Sequence, residues 1–243
     1  MPRTPLYIIA SPQPRVGKTL IARLLIEYQL ANNRRVVGYD LDAREPTLAG
    51  HFPKIVRAAD ITETLGQMAL FDRLGADDAT TVIDLGYSVF DQFFAVWGQI
   101  GFELEARRRL IEPVVLFITD SSRTTLQRYT ELHRRLRQTH FVPVHNESAS
   151  FIFSDKDFPP TRAEHGVIRM PRLSSIVRGV IHRPNFSFRT HLGDQPGGPS
   201  EVEAWVNAIF TQFRELELRL LMGQVTSSIG PGAVLRWREL RRG

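Results

Sequence analysis

Short apolar runs alternate along the chain with stretches whose apolar residues recur every three or four positions. The runs predict strands near 6–11, 35–41, 80–85, 113–119 and 140–145, with later strands near 150–154 and 166–170. The helical spacing predicts helices near 18–31, 61–74, 88–109, 121–138 and 173–182. Strand and helix in regular succession predict an α/β fold: a doubly wound, mostly parallel sheet with helices on both faces. A Pro- and Gly-rich loop, residues 193–200, leads into a last helix, where Ser200 and Glu203 have the spacing of a capping box. Val202, Trp205, Val206, Ile209, Phe210 and Phe213 follow at helical spacing, a stripe expected in the core rather than around a cofactor.

The first strand-to-helix junction carries the strongest chemical signal. An apolar strand from Leu6 runs through Pro12-Gln13-Pro14-Arg15-Val16 into Gly17-Lys18-Thr19-Leu20, where helical spacing begins. This is the pattern of a phosphate-binding loop. Backbone N–H groups from Arg15 to Leu20 face a ligand at a helix N-terminus, Lys18 reaches terminal phosphates, and the Thr19 hydroxyl ligates Mg²⁺. Proline stands at residue 12, where the general pattern has its first glycine, and again at residue 14, removing two donors and stiffening the loop. The plain alternative is an ordinary strand-to-helix turn containing Gly-Lys-Thr. The chain has three lysines, Lys18, Lys54 and Lys156, among 31 basic residues. A lysine kept at this position in so arginine-rich a chain argues for a compact ammonium there.

Two further strands end in carboxylates. Val36-Val37-Gly38-Tyr39-Asp40-Leu41-Asp42 places Asp40 and Asp42 on one side of an extended chain, either beside a metal and an attacking water or as caps of the next turn. Thr80-Thr81-Val82-Ile83-Asp84-Leu85-Gly86 has the form of a magnesium-supporting strand, with Gly86 allowing close backbone approach.

These motifs, in this order, resemble the ParA/MinD-like deviant Walker ATPases, whose superfamily also includes the nucleotide-binding folds of cobyrinate and dethiobiotin synthetases. The resemblance covers about residues 5–180. It implies binding of ATP (and ADP) with Mg²⁺, weak ATPase activity, and a nucleotide-dependent homodimer. By position it implies that Lys18 and Thr19 meet phosphate and metal, that Asp40 and Asp84 support the metal, and that Asp42 positions the hydrolytic water. Asn146, after the apolar stretch Phe141–His145, is placed like the family's adenine-contacting asparagine, and equally like an asparagine of a turn. The family loop reads Lys-Gly-Gly-x-Gly-Lys-Thr. Gln13 stands at its first lysine, which in the family acts across the dimer; Arg15 carries the nearest cation, and its fork is not interchangeable with an ammonium.

Composition is compatible with this reading. A chain of 243 residues with 42% apolar content can bury one substantial core. The expected division is a nucleotide-binding domain, 1–222, and a basic C-terminal tail, 223–243. Cysteine is absent, which excludes disulfides, iron–sulfur ligation and thiolate zinc. No run approaches the roughly 20 apolar residues of a membrane span, so a cytoplasmic location is expected.

The net charge of +5 suggests an anionic partner. Arginines cluster at 107–109, at 134, 135 and 137, and in the tail. A solvated basic face and a nonspecific DNA-binding face are both readings of the middle cluster, with Leu126, Tyr129, Leu132 and Leu136 as its inward stripe. In the tail, Val234, Leu235, Trp237 and Leu240 alternate with arginines, which reads as a docked or frayed terminal helix ahead of a membrane-contacting one. A nucleotide-dependent switch in DNA or cargo positioning is the leading functional expectation. A dethiobiotin-synthetase-like ligase and a binding scaffold with a degenerate ATP site are its rivals.

Overall fold

The computed structural model describes residues 3–74, 78–120, 122–149, 166–183, 186–192 and 200–228. The strands are β1 (Thr4–Ala10), β2 (Val36–Asp40), β3 (Val56–Ala58), β4 (Thr80–Asp84), β5 (Ile111–Thr119), β6 (His140–Asn146) and β7 (Ile168–Met170). The helices are α1 (Lys18–Ala31), α2 (Thr47–His51), α3 (Thr64–Arg73), α4 (Phe90–Gln99), α5 (Phe102–Arg108), α6 (Arg123–Arg135), α7 (Ser175–Ile181) and α8 (Glu201–Ser228). The seven strands form one sheet in the order β3-β2-β4-β1-β5-β6-β7, and every pairing is parallel. A parallel sheet needs cover on both faces, which is why its central strands are apolar on both sides rather than alternating. β5 is buried at all nine positions.

Successive residues of β1 divide between two cores. Tyr7 and Ile9 join α1, α7 and α8 on one face, while Leu6, Ile8 and Ala10 join the α3–α6 side on the other. The predicted stripe of the last helix is core: Trp205, Val206, Ile209 and Phe213 are buried, and Glu203 N–H donates to Ser200 Oγ at 3.2 Å, as the capping box requires. Glu217 fastens α8 to α1 by accepting from Tyr28 Oη, Gln29 Nε2 and Arg34 Nη1 at 2.6–2.9 Å.

Three details differ from the sequence expectation. The helix predicted over 88–109 is two helices, because Gly101 takes a left-handed backbone (φ 63°) between α4 and α5. The short α2 and the edge strand β3 were not predicted, since neither is long enough to show a period. The strand expected at 150–154 and the segment 229–243 of the tail lie outside the described residues; the tail before that point continues α8 as far as Ser228.

Candidate functional site

β1 lies between β4 and β5, where the chain's crossovers change direction, and the crevice outside the carboxyl ends of such strands is where α/β sheets bind ligands. A cleft of about 790 Å³ opens there. Its walls come from the loop before α1, the segments after β2, β4 and β6, and the β7–α7 region.

The loop has the geometry its sequence predicts. Gly17 adopts φ 97°, and a Cβ placed on it would stand 2.6 Å from Asn146 Nδ2, so this position admits only glycine. Beyond it α1 begins, and the backbone N–H groups of Val16, Gly17, Lys18, Thr19 and Leu20 make no intramolecular hydrogen bond among the described residues. Gly17, Lys18, Thr19 and Leu20 line the cleft, and such a row of donors at a helix N-terminus can cradle an anion. The two prolines, at 12 and 14, precede this row and subtract nothing from it.

Lys18 is buried, 9% exposed, and its Nζ donates to Gln13 O at 2.7 Å, 5.9 Å from the Tyr87 ring centre. Burial lowers its pKa, with Asp84 and Asp42 opposing. Thr19 Oγ1 donates to Asp84 Oδ2 at 2.6 Å. Burial pushes the Asp84 carboxyl up to about 7, against the Thr19 hydrogen bond and the Lys18 charge. Gly86 lets the chain after β4 pass the chain after β2, since a Cβ there would meet Leu41 O at 2.9 Å. Asp42, on the passing chain, lines the same cleft as Lys18 and Asp84.

Asp40 pairs in register with Asp84 on the neighbouring strand, but its carboxylate is engaged. Oδ1 accepts from Asp42 N–H at 3.1 Å, and Oδ2 accepts from Leu48 N–H at 2.8 Å and Ala49 N–H at 3.1 Å. It therefore fixes the turn that carries Asp42 and the start of α2. Burial still raises its pKa.

Asn146 is buried at the end of β6, where Nδ2 donates to Val16 O at 2.9 Å and Oδ1 accepts from Ser148 N–H at 3.0 Å. It closes a turn, and it lines the cleft while clamping the loop. The wall beyond it is Met170, Pro171 and Leu173, with Trp205 Nε1 donating to Pro171 O at 2.7 Å.

Sequence reasoning missed Arg23 and Glu27 on α1. The Arg23 guanidinium, 2% exposed, donates to Ile181 O (2.8 Å) and Phe186 O (3.1 Å) and lies over Phe188; Glu27 Oε2 accepts from Ser187 Oγ (2.6 Å) and Arg189 N–H (2.8 Å). They strap the α7 wall to the helix that bears the loop. Two charged residues on the inward face of an amphipathic helix are the signal that could have found them.

The middle arginine cluster is not one helical face. α6 ends at Arg135, Arg137 lies beyond its cap, and Arg135 Nη2 donates to Phe94 O at 2.9 Å. Arg134 and Arg135 are both exposed positions of the helix, and Arg137 is exposed beyond it. Of the earlier cluster, Arg108 and Arg109 pair with Glu105 at 3.8 and 2.6 Å, and Arg107 stays exposed.

Among the described residues no group of three or more His, Cys, Asp or Glu is arranged to hold a metal ion, and no helix is long and apolar enough to cross a membrane. Mg²⁺ in a phosphate site needs only one or two protein ligands besides phosphate and water, and Thr19 with Asp84 fits that demand. The sheet order and this loop define an α/β fold of P-loop NTPase type. No protein-family model matches the chain, and no curated protein matches it in sequence. Solved structures similar to it include the MinD cell division protein of Aquifex aeolicus, at TM-score 0.53 and 9% identity over 87% of this chain and 97% of that one, and the MinC:MinD cell division protein complex of the same organism, at the same score and identity over 87% and 96%. At that identity the likeness is one of fold.

Proposed function

We propose that this chain is a ParA/MinD-type nucleotide switch, which binds ATP with Mg²⁺ in the cleft, hydrolyses it slowly, and uses the two nucleotide states to position DNA or another large cargo. The observation that carries the reading is that backbone N–H groups without a partner among the described residues, the Lys18 ammonium and the Thr19–Asp84 pair lie together in one cleft at the start of α1.

Each residue has a role that its surroundings support. Lys18 gives up the Gln13 carbonyl for phosphate oxygens, a better partner for a half-desolvated ammonium. Thr19 and Asp84 hold the metal side, and the metal, when bound, neutralises phosphate charge. Asp42 orients the attacking water, and Asp40 holds Asp42 in place. Asn146 keeps the loop closed beside the base-side wall. Turnover is slow because a neutral amide, Gln13, stands where the family pattern has a lysine. Two copies close over the nucleotide, and the exposed arginines, Arg107 and Arg134 among them, supply a nonspecific attraction for DNA.

The test is calorimetry with Mg·ATP, ATPase assays with and without DNA, and size exclusion in ADP and a nonhydrolysable ATP analogue. Binding, DNA-stimulated turnover and an ATP-dependent dimer are expected, and Asp42→Ala should keep ATP affinity while losing roughly 10²–10³ in turnover. ATP bound without turnover selects a binding scaffold. Turnover only with a carboxylate or amine substrate selects a ligase.

A further inference from the structure

Three non-glycine residues among those described have positive φ: Arg15 (58°), Asn33 (55°) and Leu110 (57°). Two of them are explained by helix ends. Asn33 and Leu110 each follow a C-cap, those of α1 and α5, where a left-handed residue closes the last turn. Arg15 follows no helix. It sits in the loop before α1, where the Lys-Gly-Gly-x-Gly-Lys-Thr pattern has a glycine, and it holds a glycine's backbone conformation with a large side chain attached. A glycine would adopt that conformation without strain. Keeping a strained residue at a ligand loop points to its side chain as the reason.

That side chain is placed for phosphate. It is exposed, it lines the cleft, and it makes no hydrogen bond or ion pair among the described residues. Lys18 Nζ lies 2.7 Å from Gln13 O, which fixes the loop crest directly beside the ammonium that marks the terminal-phosphate end of the site. The guanidinium begins two residues along that crest. Two carboxylates of the same cleft, Asp84 and Asp42, act on the Lys18 ammonium and offset part of its charge, so a second cation beside Lys18 has phosphate charge left to meet.

We infer that the Arg15 guanidinium is the second cation of the phosphate site: it contacts the terminal phosphate of a bound nucleoside triphosphate and sets the preference for triphosphate over diphosphate. This rests on the nucleotide-binding reading above. A planar fork suits three phosphate oxygens, and it grips only the ligand that carries the last phosphate.

Calorimetry with Mg·ATPγS and Mg·ADP on the full chain, beside thermal melts, tests it in wild type, Arg15→Ala, Arg15→Gly and Arg15→Lys. Arg15→Gly is expected to melt at or above wild type and above Arg15→Ala, because glycine relieves the backbone. Both variants should nevertheless lose roughly ten- to a hundredfold in Mg·ATPγS affinity, with Mg·ADP changed by less than about threefold, and Arg15→Lys should recover part of the loss. Unchanged Mg·ATPγS affinity in Arg15→Gly overturns the inference. Equal losses for both nucleotides also overturn it, since they put the contact on the inner phosphates. A wild-type chain that binds neither nucleotide fails before any variant is made and removes the nucleotide reading itself.

Discussion

At the carboxyl end of the sheet Asp84 is buried with a single hydroxyl donor, and burial pushes it up to about 7. At the opposite end Glu112, on β5, is as deeply buried, yet it accepts from Arg3 Nη1 at 2.9 Å and is hydrogen-bonded to His140 at the start of β6. Burial raises Glu112 too, but His140 and Arg3 outweigh it and hold the carboxyl below its ordinary range. Arg3 N–H donates to Gln224 on α8, so that end also gathers the chain. The same residue chemistry thus serves two ends differently. One end closes its charges against each other, while the other pairs its carboxylate and its ammonium with neutral groups beside a row of N–H groups that have no partner among the described residues.

The comparison can be broken in four ways. The largest expected effect is on ligand: Lys18→Ala should weaken Mg·ATP binding by roughly a hundredfold or more, about 3 kcal/mol, while the melting temperature stays level or rises, because a partly desolvated ammonium is removed. A clear fall in melting temperature would make Lys18 a structural cation like those at the far end. Next, Glu112→Ala should cost about 2–3 kcal/mol in urea unfolding, less than for a fully buried pair because His140 and Arg3 are partly exposed, and should leave nucleotide affinity alone.

The third effect is one of sign. Asp84 binds its proton more tightly folded than unfolded, so its contribution favours folding at low pH and is lost as pH rises from about 4 to 7. Glu112, held low, does the reverse: its contribution is present above the ordinary carboxylate range and disappears as pH falls through its folded value. Asp84→Asn should therefore be the more stable protein at pH 8, by on the order of 2 kcal/mol, lose that advantage near pH 4, and bind nucleotide with little dependence on Mg²⁺. Denaturant titrations at both pH values measure it. A variant less stable than wild type at pH 8 would show Asp84 to be satisfied without ligand. Smallest is Asn146→Ala, expected to cost about 1 kcal/mol in stability and a few-fold in nucleotide affinity, since Val16 O loses its partner and the loop its clamp.

What was legible in the sequence follows from range. Gly17, Lys18 and Thr19 are consecutive, and Asp84 ends a β-branched run, Thr80 to Ile83, so short-range pattern was enough to place them on a loop and a strand. The central strands were legible for the same reason. That Asp40 caps the following turn was foreseen as one of its roles, but its partners Leu48 and Ala49 become visible only in the fold. Arg23 and Glu27 mark themselves as charges on an inward helix face, but what they and Glu217 bind could not be read, because their partners lie far along the chain. The break at Gly101 was hidden because the apolar spacing continues through it, and backbone handedness leaves no mark on periodicity.

The order of strands also governs how the chain assembles. β1 is the first strand made and sits in the middle of the sheet, with Leu6 paired to Thr81 on one side and to Pro113 on the other. A chain emerging from the ribosome carries the loop before α1 for about 65 residues before β4 is made and for about 100 before β5 is, and Glu217 clasps α1 only later still. Late closure of long-range parallel pairings makes folding slow and exposes apolar strands meanwhile. Pulse-labelled hydrogen exchange during refolding should accordingly show β1 and α1 protected no earlier than β5.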